Sequence, residues 1–141
     1  MSFPDNCIRG IRIHDWILPS GKVSAMAFEA DEKNPGNRQD GFIETSIAWE
    51  DDEIVIDFCF ANCKDNFIHG AVKLPTKEID HIKSKDDIGR FSYERDAKPE
   101  NGYHGNLLFE SKIDKRSRRL IESSLALFSS KVILNTRLQQ I

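Results

Sequence analysis

The chain has 141 residues, is 39% apolar and 30% charged, and carries a formal net charge of -3. That length suits one domain with a core of its own, needing no disulfide or metal staple, and the composition argues against disorder. No apolar run approaches the ~20 residues of a membrane span, and the acidic balance argues against nucleic-acid binding driven by overall charge.

The first residues, Met1-Ser2-Phe3-Pro4-Asp5-Asn6, lack the basic and apolar regions of a secretory leader. Cys7, Cys59 and Cys63 are an odd number of thiols. Both features predict free cysteines in a reducing, cytoplasmic setting.

In chain order, a strand is expected at 7–13, a turn at Pro19-Ser20-Gly21 and a second strand at 23–29. A surface loop rich in Pro, Gly, Asn and Asp follows at 30–41. Ile43, Thr45, Ile47 and Trp49 then alternate with more polar neighbours, and Ile54, Ile56, Phe58 and Phe60 repeat the pattern. Those two runs predict an antiparallel hairpin with the acidic tip Glu50-Asp51-Asp52. A strand at 67–74 leads to a short helix at 76–84, with Thr76 as N-cap and Ile79 and Ile82 on one face. Strands at 90–95 and 103–112 flank a loop at 96–102. Asp114 is the expected N-cap of an amphipathic helix over 115–134, with apolar residues at 120, 121, 125, 128 and 132. The polar tail 135–141 is expected to fray.

The sum is a single α+β domain over 1–141. It consists of one mainly antiparallel sheet of five to seven strands, with the terminal helix packed on one face. Strands and helices do not alternate regularly, which argues against a doubly wound fold, and no Gly-rich phosphate loop is present.

Four groups of residues invite a chemical reading. Cys7, His104 and Asn106 supply the types needed for thiol hydrolysis or transfer: a nucleophile, a base and an orienting amide. The sequence Ile8-Arg9-Gly10 after Cys7 does not start a helix, which would lower the thiol pKa. Cys59, Cys63 and His69 fall one ligand short of a structural zinc site, and neither His14-Asp15 nor Asp80-His81 forms a metal motif. No metal and no cofactor are therefore expected. Arg9, Arg12, Arg90, Tyr103 and His104, with Glu44, Glu94 or Glu110, are residue types found in nucleotide pockets, but charges paired across a sheet explain them more simply.

The fourth group is Lys115, Arg116, Arg118 and Arg119, which crowd the N-terminal end of the last helix. Helix N-termini favour acidic residues, so four cations there break a local rule at one place. They would suit an anionic partner, or the acidic residues Glu50, Asp51 and Asp52 of the same chain.

The function expected from these features is a non-enzymatic interaction module. It would bind a protein partner through 115–119 and the acidic tip, as an accessory or immunity-type (antiviral defence) subunit of a bacterial multi-gene system. A cysteine hydrolase built on Cys7, and a nucleic-acid or other anion binder built on 115–119, rank below it.

Overall fold

The computed structural model describes residues 3–30, 38, 40–63, 65–86 and 89–136. Among these residues six strands form one sheet: β1 (Asn6–Ile11), β2 (Phe42–Trp49), β3 (Gly70–Pro75), β4 (Phe91–Arg95), β5 (His104–Glu110) and β6 (Ile133–Leu134). Their order is β4-β5-β2-β1-β3-β6. Every pairing is antiparallel. The α-helices described are α1 (Val55–Asn62), α2 (Thr76–Lys85) and α3 (Lys115–Phe128). The α+β architecture with a mainly antiparallel sheet is thus as the sequence predicts.

Alternation along the strands sends side chains to two faces. The main core gathers Cys7, Ile11, Ile43, Ile47, Trp49, Val72, Leu74, Phe91, Leu107 and Phe109 from the strands. Ile79 and Ile82 of α2 and Ile121 and Leu125 of α3 cover them. The opposite face carries a smaller core: Ile8, Ala48 and Ala71 lie under Val55, Cys59 and Phe60 of α1. One face of the sheet is therefore covered by α2 and α3 together with Trp16, Ala27 and Phe28 from the β1–β2 connection, and α1 covers the β2, β1 and β3 part of the other.

Gly105 shows how tightly the main core closes. A Cβ there would overlap the Trp49 indole Nε1 and the Glu94 carbonyl oxygen. Only glycine lets the indole lie across β5 and donate to that carbonyl at 3.0 Å.

The structure corrects several local expectations. Residues 53–60 do not form the second arm of a hairpin; they lead into and form α1. The edges of β2 are taken by β1 and β5, leaving a following segment no strand to pair with. Asp52 turns the chain instead, its Oδ1 accepting from the Ile54 amide at 3.0 Å. Val55, Cys59 and Phe60 then share one buried helical face.

Residues 23–29 are not a strand either. Ser24 caps a 3-10 turn at Ala25–Phe28, which buries Ala27 and Phe28. Thr76 is the first helical residue of α2 rather than its cap; Pro75 holds that place, and the Thr76 hydroxyl donates to the Pro4 carbonyl at 2.6 Å. Asp114 does cap α3. That helix ends at Phe128, short of 134, because Ser130 leaves it to join β3: its amide donates to Lys73 O at 2.8 Å and its Oγ accepts from Lys73 N at 2.9 Å. Asn135, placed at the start of the frayed tail, is buried and donates to the Phe67 carbonyl at 3.1 Å. Residues 31–37 and 39 of the expected loop, and 137–141 of the expected tail, lie outside the described residues.

Candidate functional site

The N-terminus of α3 meets its own acid first. The Asp114 carboxylate accepts from the Ser117 amide at 2.9 Å, and Arg90 reaches both Asp114 and Ser117 Oγ at 3.1 Å. These contacts hold the Asp114 carboxyl below its usual range. The amides of this helix end, which would add to the cations in receiving an external anion, are thus partly engaged within the chain.

The four cations then separate. Arg118 turns back toward Glu122, with Nε 3.7 Å from its Oε2. Glu122 is only 4% exposed although it lies in the middle of a surface helix. Lys115, Arg116 and Arg119 stay exposed, and among the described residues no carboxylate lies within ion-pair distance of them.

Beside these cations α3 shows apolar surface. A rotation of 100° per residue puts Arg116, Leu120, Ser123 and Leu127 on one solvent-facing stripe. Leu120 is 63% exposed, Leu127 68% and Phe128 40%. Of the apolar positions assigned to the core from sequence, 121 and 125 are buried, whereas Leu120 and Phe128 remain open to solvent. Next to this stripe a groove of about 270 Å³ runs between α2 and α3. His81, Ile82 and Lys85 line it from α2, and Ile121, Ser124 and Phe128 from α3.

The acidic tip finds partners elsewhere. Lys73 pairs with Glu50 at 2.8 Å, and Arg95 grips Asp51 with bonds of 2.6 and 3.0 Å. Asp52 shapes the entry to α1. The basic cluster and the acidic tip therefore do not meet each other.

Cys7, His104 and Asn106 are not brought together. β2 stands between the strand of Cys7 and that of the other two. Cys7 pairs with Trp49 and points into the main core, whereas His104 pairs with Ala48 of the opposite face. The Cys7 thiol is fully buried, which drives its pKa upward. His104 Nδ1 lies 2.9 Å from the Asp96 carbonyl. Cys59 and Cys63 are hydrogen-bonded neighbours whose pKa values are both raised by burial, while the ring of His69 packs edge-on against His14.

The residues suggestive of a nucleotide pocket also disperse. Arg9 is buried, donates to the carbonyls of Ala27 and Ser46, and stacks with Arg12 over Trp16. Burial, and then the Arg12 charge, lower its pKa to about 10. Tyr103 rests on Phe58, and Arg90 serves the end of α3.

One cluster escaped the sequence reading. Ser46, Asn106 and Glu94 stand in cross-strand register on the back of β2, β5 and β4. Glu44 and Asp96 join them, and carboxylate oxygens of Glu44, Glu94 and Asp96 lie within 4.8 Å of one another. Those three residues are the ones that could hold a cation. The chain already supplies two: Arg38 reaches Glu94 at 2.6 Å and Glu44 at 3.0 Å, and Lys98 reaches Asp96 at 3.0 Å. Asn106 donates to Glu94 and Asp96 as well. The arrangement reads as an ionic network closing an uncovered part of the sheet. Alternating polar residues at 44 and 46 and at 104 and 106 were its visible trace.

Comparison of the chain with protein-family models, curated proteins and solved structures found no match in any of the three.

Proposed function

We propose that the protein is a non-enzymatic, cytoplasmic interaction module that binds a protein partner through the exposed face of α3 and the groove beside it, as an accessory subunit does. One observation carries this reading. Leu120, Leu127 and Phe128 are large, apolar and open to solvent, and the stripe of the two leucines carries Arg116, with Arg119 beside it, neither having a carboxylate partner among the described residues. Contiguous apolar surface rimmed by polar residues marks interaction sites. Glu50, Asp51 and Arg118, also in the two charge clusters, are engaged in pairs within the chain. Three free cysteines suit a reducing compartment.

The test is an affinity pull-down from native lysate, with and without nuclease, comparing the wild-type protein with Leu120→Asp/Leu127→Asp. Both positions are exposed, so circular dichroism should show the fold unchanged. A stoichiometric protein partner that survives nuclease and is lost with the double variant is expected. A partner retained by that variant, or released by nuclease, would refute the reading.

A further inference from the structure

Resting on the interaction-module reading above, we infer that the occupant of the α3 face is an acidic amphipathic helix of the partner protein. Its apolar side chains would enter the α2–α3 groove, and its carboxylates would meet Arg116 on the leucine stripe and Arg119 beside it.

Three features point to that chemistry. The first is charge. α3 has a single acid, Glu122, and it is buried beside Arg118. Of the described acids nearby, Asp86 and Asp114 are engaged by Arg90, and Asp80 by the Tyr93 hydroxyl. The open charge over α3 is consequently positive on a chain whose net charge is -3, and an acidic segment complements it.

The second is shape. Leu120 and Leu127 are seven residues apart, with the small Ser123 and Ser124 between them. That makes two ridges and a dip at the spacing on which a facing helix packs. The groove adds a concavity floored by Ile82 and Ile121 and ending at Phe128, so anchors spaced at i, i+3 or i+4, and i+7 on a bound helix have somewhere to go.

The third is what the surface does not suit. A membrane surface offers nothing to fill a groove. Nucleic acid is favoured by aromatics set among the cations, and the aromatic here, Phe128, lies at the far end of the helix from Lys115 and Arg116.

The experiment uses the full chain and fluorescence anisotropy with two labelled synthetic peptides of ~20 residues, long enough for a helix of several turns. Both carry Leu and Phe at helical anchor spacing; one fills the remaining positions with Glu and Ala, the other with Lys and Ala. The Glu peptide should bind at least ~10-fold more tightly, and weaken by a similar factor between ~50 and ~500 mM salt. Arg116→Glu/Arg119→Glu should abolish that preference, and Leu120→Asp/Leu127→Asp should abolish binding. No binding of the Glu peptide, equal binding of both peptides, or tighter binding of duplex DNA or phosphatidylserine vesicles through the same residues would overturn the inference. The two readings fail separately. A partner captured through Leu120 and Leu127 but indifferent to salt and to Arg116→Glu/Arg119→Glu leaves the interaction module standing and removes the acidic helix.

Discussion

Arg116 and Arg118 are two residues apart in one basic cluster, yet replacing them should have opposite effects on stability. Arg118 lies 3.7 Å from a Glu122 carboxylate that is almost wholly buried. Arg118→Glu would set a second carboxylate against the first. Removing one partner of a buried ion pair costs about 3–5 kcal/mol. The long contact and the partly open arginine reduce that to about 2–4 kcal/mol, or roughly 5–15 °C in Tm for a chain of this size. Arg116 is exposed at the second helical position, where a cation opposes the helix dipole. Arg116→Glu removes an unfavourable charge and adds a favourable one, so stability should rise by about 0.5–1.5 kcal/mol at low salt. Urea unfolding followed by far-UV circular dichroism would measure both. Arg118→Met/Glu122→Met should recover most of what Arg118→Glu loses, since apolar replacement of a buried pair is often neutral. If Arg116→Glu destabilises as much as Arg118→Glu, or if Arg118→Glu is as stable as wild type, the division of the cluster into an internal and an external part is wrong.

Three further outcomes are expected. Alkylation of the native protein followed by mass spectrometry should modify Cys63 ahead of Cys7 and Cys59, because Cys63 is half-buried and the other two are wholly buried; labelling of Cys7 ahead of Cys63 would reopen the thiol-enzyme reading. Gly105→Ala should destabilise by about 2–4 kcal/mol, combining the lost Trp49 hydrogen bond with overpacking, and urea unfolding within ~0.5 kcal/mol of wild type would show that β5 can give way. The Asp96 carboxyl is held below its ordinary 3.8 first by Lys98 and also by Asn106. A depressed carboxyl stabilises the fold above its ordinary value, and that contribution disappears as pH falls through the folded value. Asp96→Asn should therefore flatten the loss of stability as pH falls below about 4; an unchanged slope would mean that the back-face network contributes nothing to acid stability.

What could be read from the sequence depended on whether one local pattern admitted one structure. Ile79 and Ile82 among charged neighbours fit only a helix, and α2 begins at Thr76 as its period requires. Asp114 marks the start of α3 because its side chain can reach the amide of Ser117. Between Ile54 and Ala61 the one charged residue is Asp57, and in so apolar a run periods of two and of 3.6 fit almost equally well. What decides for a helix is that both edges of β2 are filled by β1 and β5, a tertiary fact with no local trace. Register governs the candidate sites in the same way. Glu44, Glu94, Asp96 and Asn106 meet only once β2, β5 and β4 are aligned, and Cys7 and His104 separate for the same reason.

The basic start of α3 breaks a rule of helix electrostatics, and the structure accounts for only part of the breach. Asp114 and Arg90 satisfy the end of the helix, and Arg118 is taken up by Glu122. Among the described residues no carboxylate pairs with Lys115, Arg116 or Arg119, and the dipole disfavours at least the first two. Nor does folding call for Leu120 and Leu127, since Ile121 and Leu125 already close the core. Arg116 lies on the stripe of those leucines, with Arg119 beside it. A residue that costs the fold a little and contributes nothing to it is most simply explained by a requirement outside the fold. That is why the α3 face, and not the better-bonded acidic cluster on the back of the sheet, is where a partner should be sought.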